Sequence, residues 1–256
     1  MPSETPVRLA STIMVVRDNP HLEVLMVQRH HEIDFMPGAL VFPGGKVDPD
    51  DSHPDWAAHA LGWNDYSHEE RAAKIAAARE AFEESGLLFG EGGELPDMKE
   101  SIALRQSVAK GGFPFSRVVA DCEMKIDLSQ MVLFARWVTP EFMAKRFDTF
   151  FYIARAPADQ IAEQDGWETV DAEWMRPNAA LELGASGRKT LVFPTRVNLE
   201  LLAHSNSVEE ALNAARKRVI QTITPWLETR ADGTFLTISG DTVYGEARER
   251  FAAPTS

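Results

Sequence analysis

Three glutamates, Glu80, Glu83 and Glu84, fall within one helical turn of the stretch Ala78-Arg79-Glu80-Ala81-Phe82-Glu83-Glu84-Ser85-Gly86-Leu87. At about 100° per residue their side chains leave an α-helix on one face. Like charges three and four residues apart destabilise a helix unless something compensates them. Arg79 is the one cation in the run, four residues before Glu83, and is placed to pair with it while leaving the other two carboxylates free. Hard divalent ions such as Mg²⁺ or Mn²⁺ take carboxylate oxygens and complete their shell with phosphate oxygens of a ligand. The spacing therefore predicts a cation site facing a phosphorylated molecule. The plainer alternative, a solvated acidic helix face, leaves the repulsion uncompensated.

Such a site needs a helix with sharp ends and a surface to pack on. Ser67 followed by Glu70 forms a capping box, which predicts a helix from about His68 to Ser85, and Gly86 supplies the left-handed residue that ends it. Ile75, Ala78, Ala81 and Phe82 form an apolar stripe for a sheet, so one face is expected to be buried and the other charged. The sheet begins with strands at Leu9–Arg17 and Leu22–Arg29, joined by the turn Asp18-Asn19-Pro20-His21. Arg29, at the end of the second strand, is a candidate phosphate contact. Ala39–Phe42 reads as a short strand feeding Pro43-Gly44-Gly45, where two glycines permit close backbone approach to a ligand. His30-His31 has no further ligand at zinc spacing.

Downstream, helical spacing runs over Asp97–Lys110 and Phe115–Glu123, and strand patterns cover Met131–Val138, Thr149–Arg155 and Glu168–Met175. Pro177 suits the first turn of a further helix. Phe193–Arg218 reads as two helices broken at Ser205-Asn206-Ser207, with Ser207 and Glu210 as a second capping box. Short β-like runs follow at Val219–Ile223 and Phe235–Ile238, with Ala231-Asp232-Gly233 as a turn. That tail suggests packing or a homodimer contact.

Composition sets outer bounds. The 256 residues carry 44% hydrophobic and 25% charged residues, as in an ordinary globular chain large enough for one elaborated domain. A net charge of −13 argues against a nucleic-acid surface, which needs Lys and Arg to neutralise phosphates. It also means that an anionic substrate has to be met by bound cations or a local basic patch. The single cysteine, Cys122, excludes an intrachain disulfide framework and reads as a small buried residue. No secretory leader, membrane span or Ser-Lys-Leu ending is visible, and cytoplasmic residence is the expectation.

Arg79 to Leu87 resembles the second half of the Nudix box, Arg-Glu-apolar-any-Glu-Glu-any-Gly-apolar, and Phe42-Pro43-Gly44-Gly45-Lys46-Val47-Asp48-Pro49-Asp50-Asp51 resembles its Gly-rich first half. The two halves are split by 27 residues, Ser52 to Ala78. Asp51 stands where the family usually has glutamate, and Asp48 or Asp50 could serve in its place. The split box, with the phrase from Phe35 to Gly45, is similar to the acyl-CoA diphosphatase branch of the family. The inserted stretch, with Trp56, Leu61, Trp63 and Tyr66, is too aromatic for a disordered loop and is expected to fold over the edge of the site.

This resemblance implies an α/β/α sandwich with a mixed sheet, a Nudix domain over residues 1–187 and a C-terminal extension over 188–256 packed on it. It implies hydrolysis of a diphosphate in a nucleoside diphosphate-linked compound, with CoA or acyl-CoA as the candidate and Mg²⁺ or Mn²⁺ as cofactor. Glu80, Glu83, Glu84 and the Gly44 carbonyl are the implied metal ligands. Glu83, Arg79 and Glu80 are the implied catalytic residues, and Arg29, Gly45 and Lys46 the implied substrate contacts. The general base stays open between a box glutamate and an acid of a later loop, for which Glu163, Asp165 and Glu168 are candidates. The alternatives are a nucleoside triphosphate or sugar-nucleotide pyrophosphatase and a Nudix-like sensor that binds a nucleotide without cleaving it.

Overall fold

The first strand alternates in a way that places it inside a two-sided sheet. Ile13 and Val15 enter one buried cluster and Met14 and Val16 the other, as expected of a strand covered on both faces. The computed structural model describes residues 6–30, 38–158, 160–162 and 169–251. In it β1 (Val7–Asp18) runs parallel to β8 (Arg146–Arg155) along one edge. Along the other edge β1 divides its pairing. Val16 to Asp18 lie antiparallel to β2 (Leu22–Arg29), whereas Ala10 to Thr12 lie antiparallel to β4 (Gly44–Lys46).

Around these strands, β3 (Ala39–Val41) and β9 (Thr169–Met175) both pair with β2, and β7 (Val132–Val138) pairs antiparallel with β8. Two short parallel strands from late in the chain, β10 (Thr190–Leu191) on β3 and β11 (Thr222–Ile223) on β7, complete the mixed sheet. A minor pair joins β5 (Ala60–Leu61) to β6 (Ile126–Asp127). The chain's last strands, β12 (Trp226–Arg230), β13 (Gly233–Ile238) and β14 (Ala247–Arg250), make a separate antiparallel sheet.

Helices cover both faces. On one lie α1 (Trp56–His59), α2 (His68–Ser85), α3 (Met98–Ala109) and α4 (Phe115–Asp121), whose Trp56, Phe82, Val108 and Phe115 share a cluster with Ile13. On the other lie α5 (Pro177–Ala185), α6 (Phe193–Leu202) and α7 (Val208–Lys217), whose Ala180, Leu199 and Leu212 share a cluster with Met14. The result is an α/β/α sandwich. Each fully buried Phe or Leu of these layers contributes about 1.5–3 kcal/mol. Residues beyond 188 join the same architecture, since β10 and β11 extend the main sheet and Phe193, Val197 and Ile238 enter its second core.

Local chemistry explains the helix ends. Ser67 and Glu70 form the reciprocal capping box of α2, and Gly86 closes that helix at φ 75° with its N–H on the Phe82 carbonyl. The second box is only half made. Ser207 Oγ accepts the Glu210 N–H, but the Glu210 carboxylate turns to the Asn206 N–H at 2.7 Å rather than to Ser207. The inserted stretch folds as expected, with Trp56 and Trp63 buried and Leu61 at the surface. Cys122 is half-buried rather than fully enclosed. No helix of the described residues is long and apolar enough to cross a membrane.

Candidate active site

The charged face of α2 departs from a two-sided helix. From Ala72 to Ser85 every residue is buried, and Glu80, Glu83 and Glu84 keep only 6%, 6% and 3% of their surface. Two pieces of chain cover them. One is the Gly44-Gly45 turn, and the other is a 3-10 turn at Pro49–Ser52 that brings in Asp51, itself 1% exposed. The glycines are a spatial requirement. A Cβ on Gly45 would lie 2.4 Å from Glu80 Oε1, and one on Gly44 would lie 2.5 Å from the Ser11 carbonyl oxygen. Only a residue without a side chain lets β4 run between β1 and the carboxylates.

Arg79 ties the cluster together. Its Nε and Nη2 donate to the two carboxylate oxygens of Asp51 at 2.9 and 3.0 Å, a bidentate fork across the split box. Nη1 donates to Glu80 Oε1 at 2.9 Å and to Glu83 Oε1 at 3.0 Å, while Nη2 also reaches the Lys46 carbonyl at 2.8 Å. The sequence paired Arg79 with Glu83 alone. The guanidinium has five donors in a fixed fork, enough to engage Glu80 and Asp51 as well. Glu84 is held differently, accepting the Gly44 N–H at 3.2 Å. Asp51 fills its box position as the partner of Arg79, and its own Oδ2 accepts the Asp48 N–H at 2.8 Å. Asp48 stays 3.9 Å from Arg79.

Four buried acids share this place with one guanidinium, and three of them, Asp51, Glu80 and Glu83, are bonded to it. Burial pushes the Asp51 carboxyl above its ordinary range against the pull of Arg79. Burial likewise pushes Glu80 up to about 8, opposed by Arg79 and reinforced by Glu83 and Asp51. Burial works against the charge of Arg79, but Glu80, Asp51 and Glu83 outweigh it and hold the guanidinium above its ordinary value. Among the described residues no three acidic, His or Cys side chains form a ready cation cage, because Arg79 Nη1 stands where Glu80 and Glu83 converge. The donors nonetheless fit a hard divalent ion in kind. They are carboxylate oxygens beside a backbone turn, and their uncompensated charge is what such an ion would neutralise.

The remaining expected contacts are less gathered. Gly45 abuts Glu80, and Lys46 lends its carbonyl to Arg79 while its own residue is exposed. Arg29 ends β2, and its buried Nε has no hydrogen-bond partner among the described residues. Glu163, Asp165 and Glu168 lie outside the described residues, as do Phe35, Met36 and Pro37. Two residues escaped the sequence reading. Arg105 of α3, 2% exposed, donates from Nε to the Glu83 carbonyl at 3.0 Å and fastens the last turn of α2. Gln160 exchanges two 2.9 Å hydrogen bonds with the Leu88 backbone just beyond that helix. Nothing local marks either one, since each acts on a partner far away in sequence.

This sandwich, with its carboxylate helix under a Gly-Gly turn, is a Nudix arrangement, and comparison with known proteins agrees. The NUDT19 Nudix domain family matches residues 62–199, and the chain belongs to that family. It is 26% identical to the acyl-coenzyme A diphosphatase NUDT19 of Xenopus laevis over 88% of this chain and 72% of the relative. It is 27% identical to the protein of the same name from Homo sapiens over 87% and 72%. Its fold matches the crystal structure of a Nudix hydrolase from Alicyclobacillus acidocaldarius with a TM-score of 0.70 and 29% identity, covering 82% of this chain and 97% of that one. The protein is thus a Nudix hydrolase acting on a diphosphate-containing small molecule. Proteins of this family commonly use divalent metal ions.

Proposed function

We propose that the protein hydrolyses the diphosphate of CoA or a short acyl-CoA, giving adenosine 3′,5′-bisphosphate and a 4′-phosphopantetheine product. The observation that supports the chemistry is the buried Glu80, Glu83 and Glu84 set lying against the Gly44-Gly45 turn. The choice of CoA rests on the likeness to relatives named acyl-coenzyme A diphosphatases over most of the chain. In the reaction a water oxygen attacks one phosphorus and the bridging P–O bond breaks. The water's proton passes to a base, and the bridging oxygen leaves on the other phosphate.

Glu80, Glu83, Glu84 and the Gly44 carbonyl would hold the cations, Mg²⁺ or Mn²⁺. When bound, such ions neutralise the diphosphate and lower the pKa of a bound water. Arg79 sets the orientation of Glu80 and Glu83 through Nη1 and is itself fixed by Asp51. Glu83 and Glu80, both bonded to Nη1, are the candidates to accept the proton. Gly45 leaves room for the diphosphate to approach, and Lys46 and Arg29 offer cations to its outer oxygens. Arg29 suits that task, because a buried guanidinium nitrogen without a partner is costly until an anion meets it. The test is a mass-spectrometric product assay with CoA, butanoyl-CoA, ADP-ribose, NADH and nucleoside triphosphates in Mg²⁺ or Mn²⁺. Cleavage of CoA or butanoyl-CoA to adenosine 3′,5′-bisphosphate is expected. CoA compounds left intact while another diphosphate turns over would refute the substrate.

A further inference from the structure

Strand β1 sends Ser11 into the layer under α2. In the register of the sheet Ser11 stands opposite Gly45 of β4 and beside Phe150 of β8. The β1–β8 register runs without a break from Val7 to Val16, so side chains alternate strictly along it. Ser11 thus shares its face with Ile13 and Val15, which pack in the cluster that α2 covers. It is 0% exposed, and its Oγ has no hydrogen-bond partner among the described residues. A buried hydroxyl without a partner costs stability that alanine at the same place would not, so a role has to be sought for it.

The group that Ser11 faces is Glu80. A Cβ on Gly45 would lie 2.4, 2.7 and 2.8 Å from Oε1, Cδ and Oε2 of Glu80, so that carboxylate fills the side-chain space of Gly45. Directly opposed residues of an antiparallel pair have Cβ atoms about 4.5–5.5 Å apart on one face. The Glu80 carboxylate therefore stands to Ser11 as a cross-strand neighbour would. Arg79 holds Glu80 through Oε1, and the same Nη1 holds Glu83. That nitrogen lies where the two carboxylates converge, the place a divalent ion shared by both would take. A Glu80 turned from the guanidinium toward an ion needs another donor on its buried side, and the Ser11 hydroxyl stands there without a bond of its own. We propose that Ser11 is a positioning residue, whose hydroxyl donates to the Glu80 carboxylate in the cation-loaded protein and fixes it toward the ion. The proposal rests on the cation reading of Glu80, Glu83 and Glu84 and is independent of which diphosphate is cleaved. Hydrogen bonds that orient metal ligands are typically worth about 10- to 100-fold in metal affinity or activity.

Thermal unfolding of the metal-free protein and calorimetric titration with Mn²⁺, on wild type and Ser11→Ala, test this. Without metal, Ser11→Ala is expected to melt at or above the wild-type temperature, because an unpaired hydroxyl is gone. Its Kd for Mn²⁺ is expected to rise by about 10-fold, and kcat for whichever diphosphate is cleaved to fall by about as much. Ser11→Thr and Ser11→Val share one shape and differ in the hydroxyl, so the threonine variant is expected to bind Mn²⁺ about 10-fold more tightly than the valine variant. That pair decides the matter should Ser11→Ala fail to fold by circular dichroism. A folded Ser11→Ala protein with wild-type Mn²⁺ affinity would overturn the proposal, and lower stability with unchanged affinity would make Ser11 a packing residue only. Absence of Mn²⁺ binding to the wild type would instead overturn the cation reading, and the role of Ser11 with it.

Discussion

Helix α2 buries two cations five residues apart, and the protein treats them in opposite ways. Lys74 touches neutral groups. Its Nζ donates to the Leu128 carbonyl at 2.9 Å and to the Met131 carbonyl, and lies 4.2 Å from the Tyr66 ring centre and 5.0 Å from that of Tyr152. Burial pulls its pKa down to about 8, with Glu70 and Asp127 opposing only in part. Arg79 is surrounded by carboxylates instead and is held fully charged. The first arrangement uses a cation to satisfy backbone carbonyls between the insertion and the sheet. The second gathers more negative charge than its cation can balance, and charge imbalance in a buried place is a mark of a site rather than of a scaffold.

Removing the hub should have the largest effect. Arg79→Met leaves Asp51, Glu80 and Glu83 buried without their partner, and a loss of about 3–5 kcal/mol in urea unfolding is expected, together with loss of hydrolysis. Next comes Gly45→Ala, whose methyl group would collide with Glu80. About 1–3 kcal/mol of strain is expected, along with a fall in turnover that Gly→Ala at Gly240, where a Cβ meets nothing closer than 3.7 Å, does not share. Lys74→Met should cost about 1–2 kcal/mol at neutral pH through two carbonyls left without a donor, with kcat retained. If Lys74→Met reduces kcat as severely as Gly45→Ala, the contrast between the two cations fails.

The smallest effect is a pH dependence. Lys74 titrates near 8 when folded and near 10.5 when unfolded, so below 8 both states carry its proton. Between about 8 and 10.5 the unfolded chain holds more protons, and the contribution of Lys74 to stability rises with pH across that window. Thermal or urea unfolding of wild type against Lys74→Met should show this rise in the wild type only. The same slope in both would place the titration elsewhere.

The parts of this molecule that local chemistry controls could be read from sequence. Both ends of α2 follow from Ser67, Glu70 and Gly86, and the alignment of Glu80, Glu83 and Glu84 follows from helical periodicity. The sandwich follows from the strand patterns and the box resemblance. Burial of the charged face did not follow, because Ala72, Ala73, Ala76, Ala77 and Ala78 give α2 small residues on nearly every side and let neighbours close over it. The Arg79–Asp51 fork spans the inserted stretch, and Arg105 comes from a later helix. Those pairings depend on how distant segments fold back, which residue spacing does not encode. The β12–β13–β14 sheet was foreseen only in part, since its edge strands are short and mixed in polarity.

If the buried carboxylate face of α2 is a divalent-cation site serving hydrolysis, Glu84→Gln should uncouple folding from activity. Mn²⁺ titration by calorimetry and turnover of the best diphosphate substrate would be measured on the same wild-type and variant preparations. The variant is expected to fold with an unchanged or higher melting temperature, since a repulsive charge is gone. Weakened Mn²⁺ binding and a fall in kcat of about 100-fold, equivalent to about 2.7 kcal/mol in the barrier, are expected with it. A folded Glu84→Gln protein with near wild-type turnover in saturating Mg²⁺ and Mn²⁺ would contradict the cation site.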